Sequence, residues 1–586
     1  MTRDHVPTAA LKPWFKRSRH VARSRQSTLI YNLGMLLIET GLKAFDLRSA
    51  RQDCLKAMNP QILTRERISG VRNGVRIASF RKRRGPSAFR MVRAAAVVLA
   101  IVVRVSSANA QPGKQSYYLD PAGNDSNPGI SAASPWRSIA KLNSVTFSPG
   151  DNIYFKRGGL WREMLVPRNG GASGSPVLLS AYGTGPQPVI SGSDIVSGWR
   201  HTSGSVYQAR SSKPGNVYVD GGPGWGLLHA CCAAGETCSR NKFCAIGPMA
   251  PGSWYWDPDS GELYVWLVDG SPPATHMIEA ATREYGLKVI ADGGEKSDLV
   301  IDGLTFERTA GGGIYFYSND ERGVGLTGIV VRNCTITQVG TGQVDDGSYY
   351  NGIHYSQARE LPTAPTYEHN RISYTGNHGN AINSQNADDA RILNNDATEF
   401  NHHGFDMKSS SGVLVRGNVV HDSAGNGIYQ ELCANSLLEN NIVYNISGVI
   451  GGTSAVAGHG SGIQVDEHTT GARVYHNSIY NVFTGIYATM PVVAEYNAVA
   501  KAGSAVLNAN AGGVFDHNVW GLSPVFYINN RRYDIQSWQS AGHPDDIAAD
   551  PMWVDPAHGN FTLLPSSPLI PARIGALFFL TRTGNR

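Results

Sequence analysis

The stretch His403-Gly404-Phe405-Asp406-Met407-Lys408 brings an imidazole, a carboxylate and an amine together within six residues. In an extended segment, side chains alternate between two faces, so Phe405 and Met407 share one side and Asp406 and Lys408 the other. The apolar pair marks the buried side, which leaves the acid and the amine outward. These groups move protons or hold anionic oxygens. Outward positions of the same kind recur nearby: Asn383 and Gln385 before, Tyr429 and Glu431 after, then Gln464 and Asp466. Asp388, Asp389 and Glu467 fall at neighbouring strand ends, and His402 and His403 lead into the central segment. A solvated sheet face would also carry charges. The concentration of these groups on the central units is what favours function.

The elements that must position these residues show in a repeat. Apolar residues at 353, 382, 405, 428, 463 and 486 are separated by 29, 23, 23, 35 and 23. An interleaved series, Asn333, Asn370, Asn395, Asn418, Asn441, Asn477, Asn497 and Asn518, has intervals of 37, 25, 23, 23, 36, 20 and 21. Both share a base period near 22, with insertions at matching places. The leucine pattern of a leucine-rich repeat is missing. Each unit instead shows period-two alternation, as in Val413-Leu414-Val415-Arg416, broken by Gly and Asn that suit tight turns. A stacked Asn can hydrogen-bond its copy in the next coil. The chain is therefore expected to be all-β: a right-handed parallel β-helix of three-strand coils, with an N-terminal helical cap and a small β insertion.

The expected organisation is an upstream extension over 1–90, a signal peptide over 91–110, and an N-terminal cap with first coils over 111–215. A β insertion then covers 216–277, the β-helix 278–522 and a C-terminal cap 523–586. In the N-terminal cap, Ser134-Pro135 predicts a helix start, with Trp136, Ile139 and Leu142 on one face. In the insertion, Ser253–Asp257 and Glu262–Trp266 read as a hairpin turned by Asp259-Ser260-Gly261, with its tryptophans assigned to packing. Cys231, Cys232, Cys238 and Cys244 cluster there. In an exported chain they suggest one or two local disulfides, with three connectivities open. Cys334 and Cys433 read as small buried apolar residues.

Charge divides the chain. Of its 586 residues, 52 are Lys or Arg and 46 Asp or Glu, for a net charge of +6. Residues 1–110 hold 22 basic and 5 acidic residues, and the remainder 30 and 41, so the parts carry +17 and −11. The part that follows residue 110 does not have the charge of a nucleic-acid binder, and no apolar run there reaches the roughly 18 residues of a spanning helix. Arg90 and Arg93, the apolar Ala94–Val103 and the small Ala108-Asn109-Ala110 make a signal peptide pattern, with cleavage expected before Gln111. Secretion, to the periplasm or the exterior, is the expected destination, and a monomer the expected state.

With these residues in view, the mature chain resembles the secreted right-handed β-helix proteins of the pectate-lyase-like superfamily. The resemblance covers about 117–570, including Tyr117-Tyr118-Leu119-Asp120-Pro121 and Asp550-Pro551-Met552-Trp553-Val554-Asp555-Pro556. Gly404-Phe405-Asp406-Met407-Lys408 is similar to the Gly-Phe-Asp-x-Lys stretch of family 9 polysaccharide lyases. It is also similar to a strand of mannuronan C5-epimerases, in which a His stands at the position of Lys408. Both resemblances imply removal of the C5 proton of a uronic acid, with the sugar carboxylate neutralised by an Arg or a cation such as Ca²⁺. They imply Lys408 as base, with Asp406, Tyr429, Glu431 and His403 in the catalytic group. Asn383, Gln385, His402 and Gln464 would contact an acidic polysaccharide. Asp388, Asp389, Asp466 and Glu467 supply oxygen ligands of the kind Ca²⁺ prefers.

Two further readings stand beside a polysaccharide lyase. One is glycoside hydrolysis by paired carboxylates, Asp406 and Glu431. Asp388-Asp389 and Gly458-His459-Gly460 are similar to polygalacturonase elements, but about 70 residues separate them here, where that family places them about one coil apart. The other is a non-catalytic, glycan-binding or adhesive β-helix. The leader reading has its own test: N-terminal sequencing of the exported protein should start at Gln111, and retention of residues 1–90 would overturn it.

Overall fold

The computed structural model describes residues 114–222, 228–229, 249–291, 294, 296–319, 325–340, 350–376, 378–448, 459–508 and 512–576. The expected leader and the Cys231–Cys244 cluster lie outside them. Parallel strands stack coil on coil. One sheet of 12 strands runs from Ser116–Leu119 through Asn152–Lys156 and Val177–Tyr182, then from Leu299–Asp302 onward to Val514–Asp516. In each central coil, three strands follow in turn. Arg391–Leu393, Asp396–Thr398 and His403–Lys408 form one coil, and Leu414–Arg416, Val419–Ser423 and Asn426–Glu431 the next. Inward residues such as Ile382, Phe405, Met407, Ile428 and Ile463 are fully buried in one continuous core.

The asparagine ladder forms at the turn between the first and second strands. Asn370, Asn395, Asn418, Asn441, Asn477 and Asn497 each donate Nδ2 to the Oδ1 of the next member at 2.9–3.0 Å. Each also donates to a carbonyl of the preceding coil, as Asn418 does to Ile392 O at 2.9 Å. Each Oδ1 accepts a backbone N–H as well, as Asn441 Oδ1 does from Asn418 N at 3.1 Å. The ladder ends on Asp546, which accepts from Asn518 Nδ2 at 3.0 Å. Asn333 is not a member. Cys334 takes the ladder place, its N–H donating to Asn370 Oδ1 at 3.0 Å, while Asn333 sits one residue earlier in a left-handed turn (φ 52°). Cys334 and Cys433 are buried free thiols, as expected.

Two boundaries differ from the sequence reading. The N-terminal helix is Ile139–Asn143, capped by Ser138 Oγ accepting from Lys141 N at 3.0 Å. Trp136 stays extended because its backbone pairs with the first strand, with Trp136 N donating to Tyr118 O. The antiparallel insertion also begins earlier and ends later than 216–277. Ile278–Ala281 pairs with Ser193–Val196 and Asn216–Val219, and the parallel rungs resume at Leu287–Ile290. The expected hairpin is present, and Trp254 packs in a local core with Val196, Leu263 and Ile278. At the far end, Phe526–Ile528 adds a last rung against Val506–Asn508. Trp538 then stacks on Phe526 at 4.3 Å and closes the core. No helix among the described residues is long and apolar enough to cross a membrane.

Asn418→Ala should cost about 3 kcal/mol, because several buried polar partners lose their hydrogen bonds together. Asn333→Ala should cost about 1 kcal/mol or less. Urea unfolding midpoints of the two variants check this, and equal losses would show that the ladder does not carry the stability.

Candidate active site

Strand register sets the site. Asn383, Asp406, Tyr429 and Gln464 stand opposite one another on successive coils, and Gln385, Lys408 and Glu431 form the next outward column. This is the alternation read from the sequence. Depth differs from that reading. Asp406 points outward yet is only 2% exposed, whereas Lys408 and Glu431 are 31% and 26% exposed. Asn383 and Gln464 are buried too.

Asp406 is held on one oxygen. Asn380 Nδ2 and Asn383 Nδ2 donate to its Oδ2 at 2.9 and 3.0 Å, and Lys408 Nζ lies 3.8 Å from the same atom. Its Oδ1 is buried without a hydrogen-bond partner among the described residues. Burial raises its carboxyl to about 6, against the lowering effects of Lys408 and the two amides. Lys408 Nζ also sits 3.4 Å from Glu431 Oε2. The Tyr429 hydroxyl donates to Glu431 Oε2 at 3.2 Å and reaches Asp466 Oδ2 at 3.4 Å. Burial and the three carboxylates push the Tyr429 phenol up, so it stays protonated. The result is one ammonium and one phenol among Asp406, Glu431 and Asp466.

The N-terminal end of the central strand carries histidines. The His403 ring stacks on Tyr429 at 4.5 Å and 8°. His402 Nδ1 lies 3.0 Å from Asn380 Oδ1, which also accepts His403 N at 2.9 Å. His459, from a later coil, joins them, its ring 5.7 Å from that of His403. Asn380 and His459 were not among the residues singled out for the central face. A signal for Asn380 existed: Asn351, Asn380, His403 and Asn426 each stand two residues before the repeating apolar position. The structure stacks them, with Asn380 N donating to Asn351 Oδ1 at 2.9 Å.

The four residues expected to bind Ca²⁺ do not converge. Asp388 Oδ1 accepts Ser411 N at 2.7 Å, and Asp389 is exposed in a left-handed turn. Asp466, three coils further on, is engaged by Gln464, Thr489 Oγ1 and the Glu467 N–H. Among the described residues, the clusters with ligand atoms within 4.8 Å of one another are His402–His403–His459 and Asp516–His517–Asp545. The Ca²⁺ set is therefore not assembled here. Asp388-Asp389 and His459 also flank opposite ends of the central strands, so the polygalacturonase-like pairing is not assembled either.

Comparison with known proteins matches residues 285–479 and 351–519 to the family model of the right handed beta helix region. A stretch of 116 residues is 28% identical to a lacto-N-biosidase of Bifidobacterium longum subsp. longum, covering 17% of this chain and 7% of that protein. The chain thus matches less than a tenth of that relative's length. Among solved structures, XylC in complex with xylose is similar at 13% identity, covering 75% of this chain and 87% of that one, with a TM-score of 0.49. Pectate lyase Pel9A is similar at 15% identity, covering 78% and 92%, with a TM-score of 0.42. Residues 285–519 thus match a right-handed beta helix region, and the stacked parallel coils are the right-handed parallel β-helix expected from the repeat.

Proposed function

We propose that the face built on Ile382–Asp388, His403–Lys408, Asn426–Glu431 and Ser461–Val465 acts on a polysaccharide and cleaves a uronic-acid-containing one by β-elimination. Lys408 is the base. The observation that supports this reading is the placement of its ammonium, open to solvent on the outer column and 3.8 Å from a buried carboxylate. In the reaction the C5–H bond breaks and the proton passes to the Lys408 amine. The electron pair forms the C4–C5 double bond, the C4–O bond breaks, and the leaving oxygen is protonated by water. Two nearby carboxylates favour the ammonium, so the amine must first shed a proton. Burial makes Asp406 a better acceptor for it than an ordinary carboxylate. Tyr429, Glu431 and the amides of Asn383 and Gln464 then line the place where sugar hydroxyls dock.

Hydrolysis is the second reading. It is supported by the raised Asp406 carboxyl, a candidate acid, lying beside the same ammonium as the second carboxylate, Glu431. The name of the relative, a lacto-N-biosidase, is that of a glycosidase and is consistent with this second reading.

Incubation with polygalacturonate, alginate and neutral glycans separates these outcomes. A lyase leaves an unsaturated, ultraviolet-absorbing end, a hydrolase makes reducing ends without that absorbance, and a binding protein does neither. Lys408→Ala should lower the elimination rate by about 10²–10⁴-fold, and full activity in that variant would sink the assignment.

Asp406 also links the site to stability. Its folded value of about 6 lies above the 3.8 of an ordinary aspartate, so the folded chain binds more protons between these values. The stability it permits is present below the lower value and lost as pH rises through the upper one. Asp406→Asn should therefore unfold at higher urea than the parent at pH 8, by roughly 2–3 kcal/mol, with little difference at pH 4. Equal differences at both pH values would contradict the burial cost.

A further inference from the structure

We propose that His402, His403 and His459 form a binding site for a transition-metal ion of the zinc class, at the N-terminal end of the central strands. The three rings come from two different parts of the chain, one pair at the start of His403–Lys408 and the third just before Ser461–Val465. Their ligand nitrogens all lie within 4.8 Å of one another. Around a tetrahedral ion with bonds of about 2.0–2.1 Å, such atoms sit about 3.3 Å apart, so side-chain adjustments of an ångström or so close the site. Three imidazoles with a fourth position left open is a donor set that suits zinc, whereas Ca²⁺ and Mg²⁺ prefer oxygen.

Hydrogen bonding around the rings prepares them. Asn380 Oδ1 can only accept, so the His402 Nδ1 it faces at 3.0 Å carries the proton, and the lone pair falls on Nε2. His403 is 3% exposed. Its Nδ1 is 3.3 Å from the Asn426 amide, a long contact that an ion at that atom would replace. His459 Nδ1 is buried and has no hydrogen-bond partner among the described residues. A buried ring nitrogen without a partner is costly for a fold to keep unless a ligand takes it up.

The ion would lie against the active face, because His403 stacks on Tyr429, whose hydroxyl reaches Glu431 and Asp466. The site does not rest on the glycan chemistry proposed above, and its test needs no substrate.

Titration of the full chain, stripped with chelator, with Zn²⁺ and with Co²⁺ provides that test. One equivalent of Zn²⁺ should bind, and Co²⁺ should give the intense visible bands of tetrahedral coordination. His402→Ala and His459→Ala should each abolish those bands while circular dichroism remains that of the parent. Asn380→Ala, which unlocks the His402 ring, should weaken Zn²⁺ affinity by about 10–100-fold. His421→Ala should leave binding unchanged, since that ring pairs with Asp396 and Asp422 away from the cluster. Absence of stoichiometric binding, or affinities in His402→Ala and His459→Ala equal to the parent, would overturn the proposal.

Discussion

The molecule depends on one recurring contact, the hydrogen bond from a buried asparagine side chain to its counterpart one coil away. Each coil must turn sharply with its backbone amides inside, where unmet polar groups cost about 1–3 kcal/mol apiece. The ladder from Asn370 to Asn518 meets those groups and continues onto Asp546. Because every rung locks to the next through the same atom pair, the strands cannot slip by one residue. A slip would turn Phe405 outward and Asp406 into the core. The vertical columns of the candidate face follow from that fixed register.

The face itself combines the economy of a repeat with local departures from it. Asn351, Asn380 and Asn426 occupy one column, and His403 replaces an asparagine within it. The substitution places an imidazole on Tyr429, while the neighbouring Asn380 holds Asp406 on one side and the two histidines on the other. A buried carboxylate with one oxygen unpaired is unfavourable for stability. Such departures gather where chemistry is done, since the strain is supported by the regular coils above and below.

How much of this could be read beforehand varies with the kind of feature. Inward Phe405 and Met407, outward Lys408, and the alignment of Asn383 with Tyr429 and Gln464 were all legible, because they need only a period and an alternation. Asn333 was misassigned because an adjacent Asn mimics the ladder residue, and only backbone geometry shows that Cys334 holds the place. The insertion boundary at Ser193 was missed because Ser193–Val196 has the composition of a coil strand and differs only in its partner. The expected Ca²⁺ ligands stand apart for a related reason: Asp388 and Asp466 both sit at strand ends, but on coils that do not adjoin.

The sequence by itself determined the solenoid, the alternation of its central strands and the side on which Asn383, Asp406, Lys408, Tyr429 and Gln464 emerge. These are one-dimensional properties, written in spacing and fixed by the two-residue period of extended chain. Only the tertiary structure decided depth and company. Asp406 is deeply buried while Lys408, two residues later on the same face, remains open. His459 meets His402 and His403 across 56 residues of chain. Burial and proximity of this kind arise from how separate coils and loops cover one another, and no periodicity along a single strand records that.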